Sequence, residues 1–258
     1  MDSMRIIEWK DFLNEGLLLG EKRSAVTVGV FDGIHRGHKA LIDKIVHYDR
    51  KILPVIVTFR ENHKNRKSAY PGDITSFRQK TAFFKDLGAA VTVVADLSDS
   101  FRRMTGADFL HLLRKQGSMA FCAVGSNFRC GYHLDTDAGM IQKLNAHEGI
   151  ETDVVEALTE DGLPISSSRI RTALLQGKLE EAEAMLGHAF SLDLSGAVNC
   201  ITGKSVTVPG RIYPQAGNYN VLLYDKNNVL IKQTRISISE GSIKVPGDEI
   251  CEYIEFIP

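Results

Sequence analysis

The chain has 258 residues, 43% hydrophobic and 24% charged, with a formal net charge of −1. That is enough apolar material for one large domain or two ordinary ones, and it is not the composition of a disordered or fibrous chain. Near neutrality makes neither nucleic acid nor a membrane an expected partner, no run approaches the roughly eighteen apolar residues of a membrane span, and the acidic start is no signal peptide. Cys122, Cys130, Cys200 and Cys251 lie far apart without a Cys-x-x-Cys, so they read as reduced thiols of a cytoplasmic protein rather than as zinc ligands.

Met4 to Trp9 reads as a short strand and Asp11 to Leu19 as a short helix. Val26, Val28 and Val30 form a strand apolar on both faces, and Gly29, Gly33 and Gly37 allow a sharp turn or a close backbone approach. His35 and His38, three apart, are expected on one face of the first turn of a helix. Free amides and the positive end of the helix dipole would suit an anion there, so Val26 to His38 reads as a phosphate site. A helix over Lys39 to Lys51 follows, with Leu41, Ile42, Ile45 and Val46 on one stripe, then a strand over Ile52 to Phe59 and a basic loop, Arg60 to Lys67.

Ser76 and Gln79 make a capping box for a helix closed by Gly88, and Ala90 to Ala95 is a strand. Thr105 and Asp108 open a helix ended by Gly117; strands over Ala120 to Val124 and Thr152 to Val155 flank a helix over Met140 to His147. Ile165-Ser166-Ser167-Ser168-Arg169-Ile170-Arg171 precedes another helix that Gly177 can end. Hydroxyls at a helix start can cap it or bind phosphate, and an arginine one turn in can hold a phosphate by two hydrogen bonds. Strand and helix in this alternation predict an α/β, Rossmann-like parallel sheet with ligands at the carboxyl ends of its strands. From Ser191 short apolar alternations and glycine turns take over, with strands expected near Ala197 to Ile201, Tyr219 to Tyr224, Val229 to Ile238 and Glu252 to Ile257. Two domains are expected, 1–187 and a small β-barrel-like 190–258.

The string Gly29-x-Phe31-Asp32-Gly33-x-His35-x-Gly37-His38 contains the His-x-Gly-His signature of nucleotidyltransferases that move AMP or CMP to a phosphate acceptor. In full it resembles the adenylyltransferase half of bacterial FAD synthetases, the fused riboflavin kinase/FMN adenylyltransferases. Ile165 to Arg171 resembles the Ile-Ser-Ser-Thr-x-Ile-Arg motif of the same enzymes, with Ser168 in place of threonine. Val124-Gly125-Ser126-Asn127-Phe128-Arg129-Cys130-Gly131 is similar to their Val-Gly-x-Asp/Asn-Phe-x-Phe-Gly, with Cys130 in place of the second phenylalanine.

The resemblance implies ATP and FMN as substrates, with Mg²⁺, and His35, His38 and Arg171 as the catalytic set. It further implies Gly29, Phe31, Asp32, Gly37, Ser167 and Ser168 around ATP and its phosphates, and Asn127 and Phe128 beside the flavin or nucleotide. Asp32 by itself reads as a turn or helix-start residue. The tail stands where the family has its riboflavin kinase barrel. Gly203 to Arg211 lacks the kinase signature Gly-x-Pro-Thr-Ala-Asn, so riboflavin phosphorylation is doubtful. A sister nucleotidyltransferase with another phosphate acceptor, and a degenerate flavin-nucleotide-binding protein, are the alternatives. Metal ligands and oligomeric state are not legible.

Overall fold

The computed structural model describes residues 4–18, 20, 22–60, 70–96, 98–197, 205–239, 241–245 and 251–258. The chain forms two compact units, Met1–Phe31 with Gly37–His63 and Thr81–Leu158, and Asp32–Arg36 with Lys64–Lys80 and Thr159–Pro258.

Six parallel strands make the sheet of the first unit: β1 (Arg5–Glu8), β2 (Ser24–Val28), β3 (Leu53–Phe59), β4 (Val91–Ala95), β5 (Met119–Gly125) and β6 (Glu151–Val155). Their order is β1-β4-β3-β2-β5-β6. Every residue of β2 and β4 is buried, as the valine runs predict for a sheet covered on both faces. The core joins Val26, Val55, Val93 and Cys122 to Trp9, Phe109, Leu113 and Ile141. The helices longer than one turn before β6 are α1 (Trp9–Glu15), α2 (Arg36–Val46), α3 (Phe77–Asp86), α4 (Gly106–Gly117) and α5 (Ala138–His147).

Several starts and stops follow from local chemistry. Thr105 caps α4 by accepting from the Asp108 amide, and Asp137 caps α5 by accepting from Met140. Ser76 and Gln79 exchange side-chain and backbone hydrogen bonds at 2.8 and 3.0 Å, the expected capping box. Helix α2 stops at Val46, short of the expected Lys51, where Asp49 accepts from the Lys51 amide in a local turn. It starts at Arg36, so His35 precedes the helix instead of sharing its first turn with His38.

After β4 the chain returns to lay β5 on the far flank of β2. This places the topological switch point beside β2, where an open parallel sheet offers a crevice at its carboxyl end.

The second unit carries α6 (Ser167–Leu175), α7 (Leu179–Leu186) and an antiparallel half-barrel. Its strands are β7 (Ser191–Asp193), β8 (Ser205–Val206), β9 (Gly217–Tyr224), β10 (Leu230–Ser239), β11 (Ser242–Lys244) and β12 (Tyr253–Phe256), in the order β7-β12-β9-β10-β11-β8. Val221 and Leu223 on β9 and Ile236 and Ile238 on β10 point inward with the period of two that strands impose. One cluster joins them to Ile170 and Leu174 of α6 and to Ala182, Met185 and Leu186 of α7. Composition changes at Ser191, yet these two helices share a core with the strands that follow. Helix α7 was not foreseen from sequence. Residues 61–67 of the basic loop and 198–201 of an expected strand lie outside the described residues. Among the described residues no helix is long and apolar enough to cross a membrane.

Candidate functional site

In the first unit, Gly29-Val30-Phe31 leaves the carboxyl end of β2. The Phe31 backbone is left-handed, φ 52°, an unusual conformation for a bulky side chain that marks stored strain. Its buried ring meets His38 edge-on at 5.2 Å and Phe84 at 5.5 Å. A Cβ on Gly29 would come within 3.1 Å of that ring, which would have to give by a few tenths of an ångström to accept it. Neighbouring β5 ends at Gly125, and the exposed Asn127 and half-buried Phe128 follow it, held by Ser126 N–H to Val155 O and Phe128 N–H to Gly125 O, both 2.9 Å. Burial pushes the Cys130 thiol up to about 12, so it is no nucleophile at neutral pH.

In the second unit the turn Asp32–His35 is anchored from several sides. Asp32, 3% exposed, accepts from the Ile74 amide at 2.9 Å, the Thr75 amide at 3.0 Å, the Thr75 hydroxyl at 3.2 Å and the Arg171 guanidinium. The Thr75 hydroxyl in turn accepts from Gly33 N–H at 3.0 Å, so its own hydrogen is directed at Asp32. The Asp32 carbonyl accepts from the Ser167 hydroxyl at 2.8 Å, and the Gly33 carbonyl faces the His188 ring at 3.1 Å. Gly33, φ 89°, and Ile34, φ 43°, are left-handed. Burial raises the Asp32 carboxyl and the neighbouring Asp73 adds to the rise, while Arg171 and the two amides work against it by donating to the carboxylate.

The predicted site residues differ in what they present. His35 is 7% exposed, and burial lowers its imidazole to about 4, so it is neutral at pH 7. Gly29, Gly37 and His38 are half-buried. Ser168 is exposed, whereas Ser166 caps α6 and Ser167 is spent on the Asp32 carbonyl. Arg171, 6% exposed, gives Nε to the Gly72 carbonyl at 2.9 Å and Nη2 to Asp32 and to the Tyr70 hydroxyl, 2.5 Å away.

Sequence reading missed Tyr70, Gly72, Thr75 and His188, which lie outside the motif strings. Only the capping box at Ser76 marked the region of the first three. Lys80, 3% exposed, stands near them; burial lowers its amine to about 8 against the pull of Asp32 and Asp73, and Arg211 pushes the same way as burial.

A parallel sheet with a strained, glycine-containing turn leaving its central strand at the switch point, and a helix start following that turn, defines a Rossmann-like α/β protein. The FAD synthetase family model matches residues 20–169, and the chain belongs to that family. The bifunctional riboflavin kinase/FMN adenylyltransferase of Escherichia coli (strain K12) is 33% identical over 172 residues, 65% of this chain and 55% of that protein. Its namesake from Buchnera aphidicola subsp. Acyrthosiphon pisum (strain APS) is 30% identical over 214 residues, 80% of this chain and 65% of that one. The chain thus matches only 55% to 65% of the length of these relatives. A solved structure titled as a macrolide-efflux protein from Streptococcus pneumoniae shares the fold, with a TM-score of 0.78 at 22% identity over 98% of this chain and 89% of that one.

Proposed function

We propose that the chain transfers AMP from ATP to FMN, giving FAD and pyrophosphate. The observation that carries this reading is the turn after β2, with left-handed Phe31, Gly33 and Ile34 and an anchored Asp32, which runs straight into the amino end of α2. The first amides of a helix have no intrahelical acceptor, so those of Arg36, Gly37 and His38 are suited to phosphoryl oxygens.

An FMN phosphate oxygen attacks the α-phosphorus of ATP. The new P–O bond forms as the bond to the β-phosphate bridging oxygen breaks, and pyrophosphate leaves with that electron pair. The attacking phosphate is already an anion, so no general base is needed and the protein supplies position and charge stabilisation. His35, neutral, donates one N–H to the triphosphate and His38 a second. We assign Ser168 to the leaving pyrophosphate, and Asn127 and Phe128 to the flavin or nucleotide, on their match to the family's motifs. Among the described residues no group of three or more His, Cys, Asp or Glu side chains is placed to hold a metal. Mg²⁺ is taken as part of the MgATP substrate, where it shares the negative charge of the triphosphate.

These residues fall within 1–187, the region assigned to adenylyl transfer; 190–258 corresponds to the family's kinase barrel in degenerate form. Incubation of the purified protein with FMN, ATP and Mg²⁺, followed by chromatography, should yield FAD and pyrophosphate in equal amounts. ATP consumption without FAD, or AMP transfer to phosphopantetheine in preference to FMN, would reject the reading.

A further inference from the structure

We propose that Arg171 and Ser167 are positioning residues, which act through Asp32 to fix the turn that carries His35 instead of binding phosphate themselves. This rests on the adenylyl-transfer reading and adds to it how the turn is held in place.

Both side chains are committed to protein groups. Arg171 is buried, with Nε on the Gly72 carbonyl and Nη2 shared by Asp32 and the Tyr70 hydroxyl, and its guanidinium carbon lies 4.9 Å from the Tyr70 ring centre. Ser167 donates to the Asp32 backbone carbonyl. An arginine that holds phosphate presents its planar fork of donors to the ligand; here the fork is turned onto a carboxylate and a carbonyl of the chain.

The groups it grips are themselves fixed. Asp73 N–H donates to the Gly210 carbonyl at 2.8 Å, and Ile212 N–H to the Asp73 carbonyl at 3.1 Å. A Cβ on Gly72, φ 116°, would meet the Arg211 carbonyl carbon at 2.4 Å. Segment 70–75 is therefore held by loop 208–212, and the turn is held by segment 70–75 and the start of α6. His35 directly continues that turn through the strained Ile34, so a shift of Asp32 is passed along a short, stiff length of backbone.

The test uses the full chain with Arg171→Lys, Ser167→Ala, Asp32→Asn and the Asp32→Asn/Arg171→Lys double variant. Misplacement by about 1 Å can cost on the order of 10²-fold in rate. Arg171→Lys should therefore lower kcat about tenfold or more while the KM for ATP stays within about twofold, with Ser167→Ala milder in the same sense. The double variant should lose no more kcat than the worse single variant, because both act on one linkage. His35 gives a readout independent of turnover: its ring, titrating near 4 in the wild type, should move toward 6.5 by NMR in Arg171→Lys as the turn loosens and hydrates.

A tenfold rise in the KM or Kd for ATP with kcat unchanged would overturn the proposal and make Arg171 a phosphate ligand. An unaltered His35 titration in both Arg171→Lys and Ser167→Ala would overturn it as well. If the wild type makes no FAD, the functional reading fails by itself, and the His35 titration and ATP affinity still decide the positioning role. Should Arg171→Lys not fold, Tyr70→Phe, which removes only the hydroxyl bridging Arg171 and Asp73, takes its place with the same expectations.

Discussion

Replacing Thr75 by valine would test the anchoring of the turn with almost no change of shape. Thr75 is 4% exposed, and its hydroxyl makes two contacts, accepting from Gly33 N–H at 3.0 Å and donating to Asp32 at 3.2 Å. Asp32 keeps both backbone amides and Arg171, so loss of one donor there is tolerable. Gly33 N–H has no such reserve, since valine puts a methyl group where the acceptor was. A buried donor left unsatisfied costs about 1–3 kcal/mol, and the lost Asp32 bond adds a fraction, so the expected destabilisation is about 2 kcal/mol. For a chain of this size that corresponds to a fall in Tm of roughly 4–8 °C. Thr75→Ser keeps the hydroxyl and gives up one methyl, which limits its cost to about 0.8 kcal/mol. Urea unfolding with unchanged slope is the assay. Thr75→Val within about 0.5 kcal/mol of wild type, or Thr75→Ser as damaging as Thr75→Val, would refute the reasoning, since variants away from such features fall in that range.

His38→Ala and His35→Ala should each lower FAD formation by about 10²–10³ in kcat, the usual cost of a lost preorganised donor, with the fold retained by circular dichroism; turnover within twofold of wild type in both would remove them from the mechanism. His35 also sets a pH window for stability. Its folded value near 4 lies below the ordinary 6.5, so between those values the unfolded chain binds a proton that the folded chain does not. Stability should therefore rise with pH from 4 to 6.5 by on the order of 3 kcal/mol from this group, and urea titrations of His35→Gln should lose that slope. Riboflavin with ATP and Mg²⁺ should give no FMN at a rate comparable to FAD synthesis, because Gly203 to Arg211 lacks the threonine and asparagine of the kinase signature; comparable FMN formation by chromatography would contradict this.

The sequence by itself determined the α/β order and the family. A buried parallel strand has to be a short β-branched run, and caps and glycine stops act within a few residues, so Val26 to Val28, Thr105 with Asp108, and Ser76 with Gln79 announce their elements locally. The turn motif was legible for the same reason, its glycines and histidines being consecutive in the chain. The contacts of Arg171 were not legible. A motif string records that an arginine follows the serines, not whether its guanidinium meets solvent, a ligand or a buried carboxylate, and its partners Tyr70, Gly72 and Asp32 come from 101, 99 and 139 positions away. The lowered titration of His35 depends on burial, which is likewise a property of the packed chain. Helix α7 was hidden because its apolar residues serve a core completed by β9, β10 and β12, and the composition change at Ser191 marks where helices end, not where that core begins. Long-range packing alone settles which polar groups lose their water, and it is packing that pairs the Arg171 guanidinium with the buried Asp32 carboxyl.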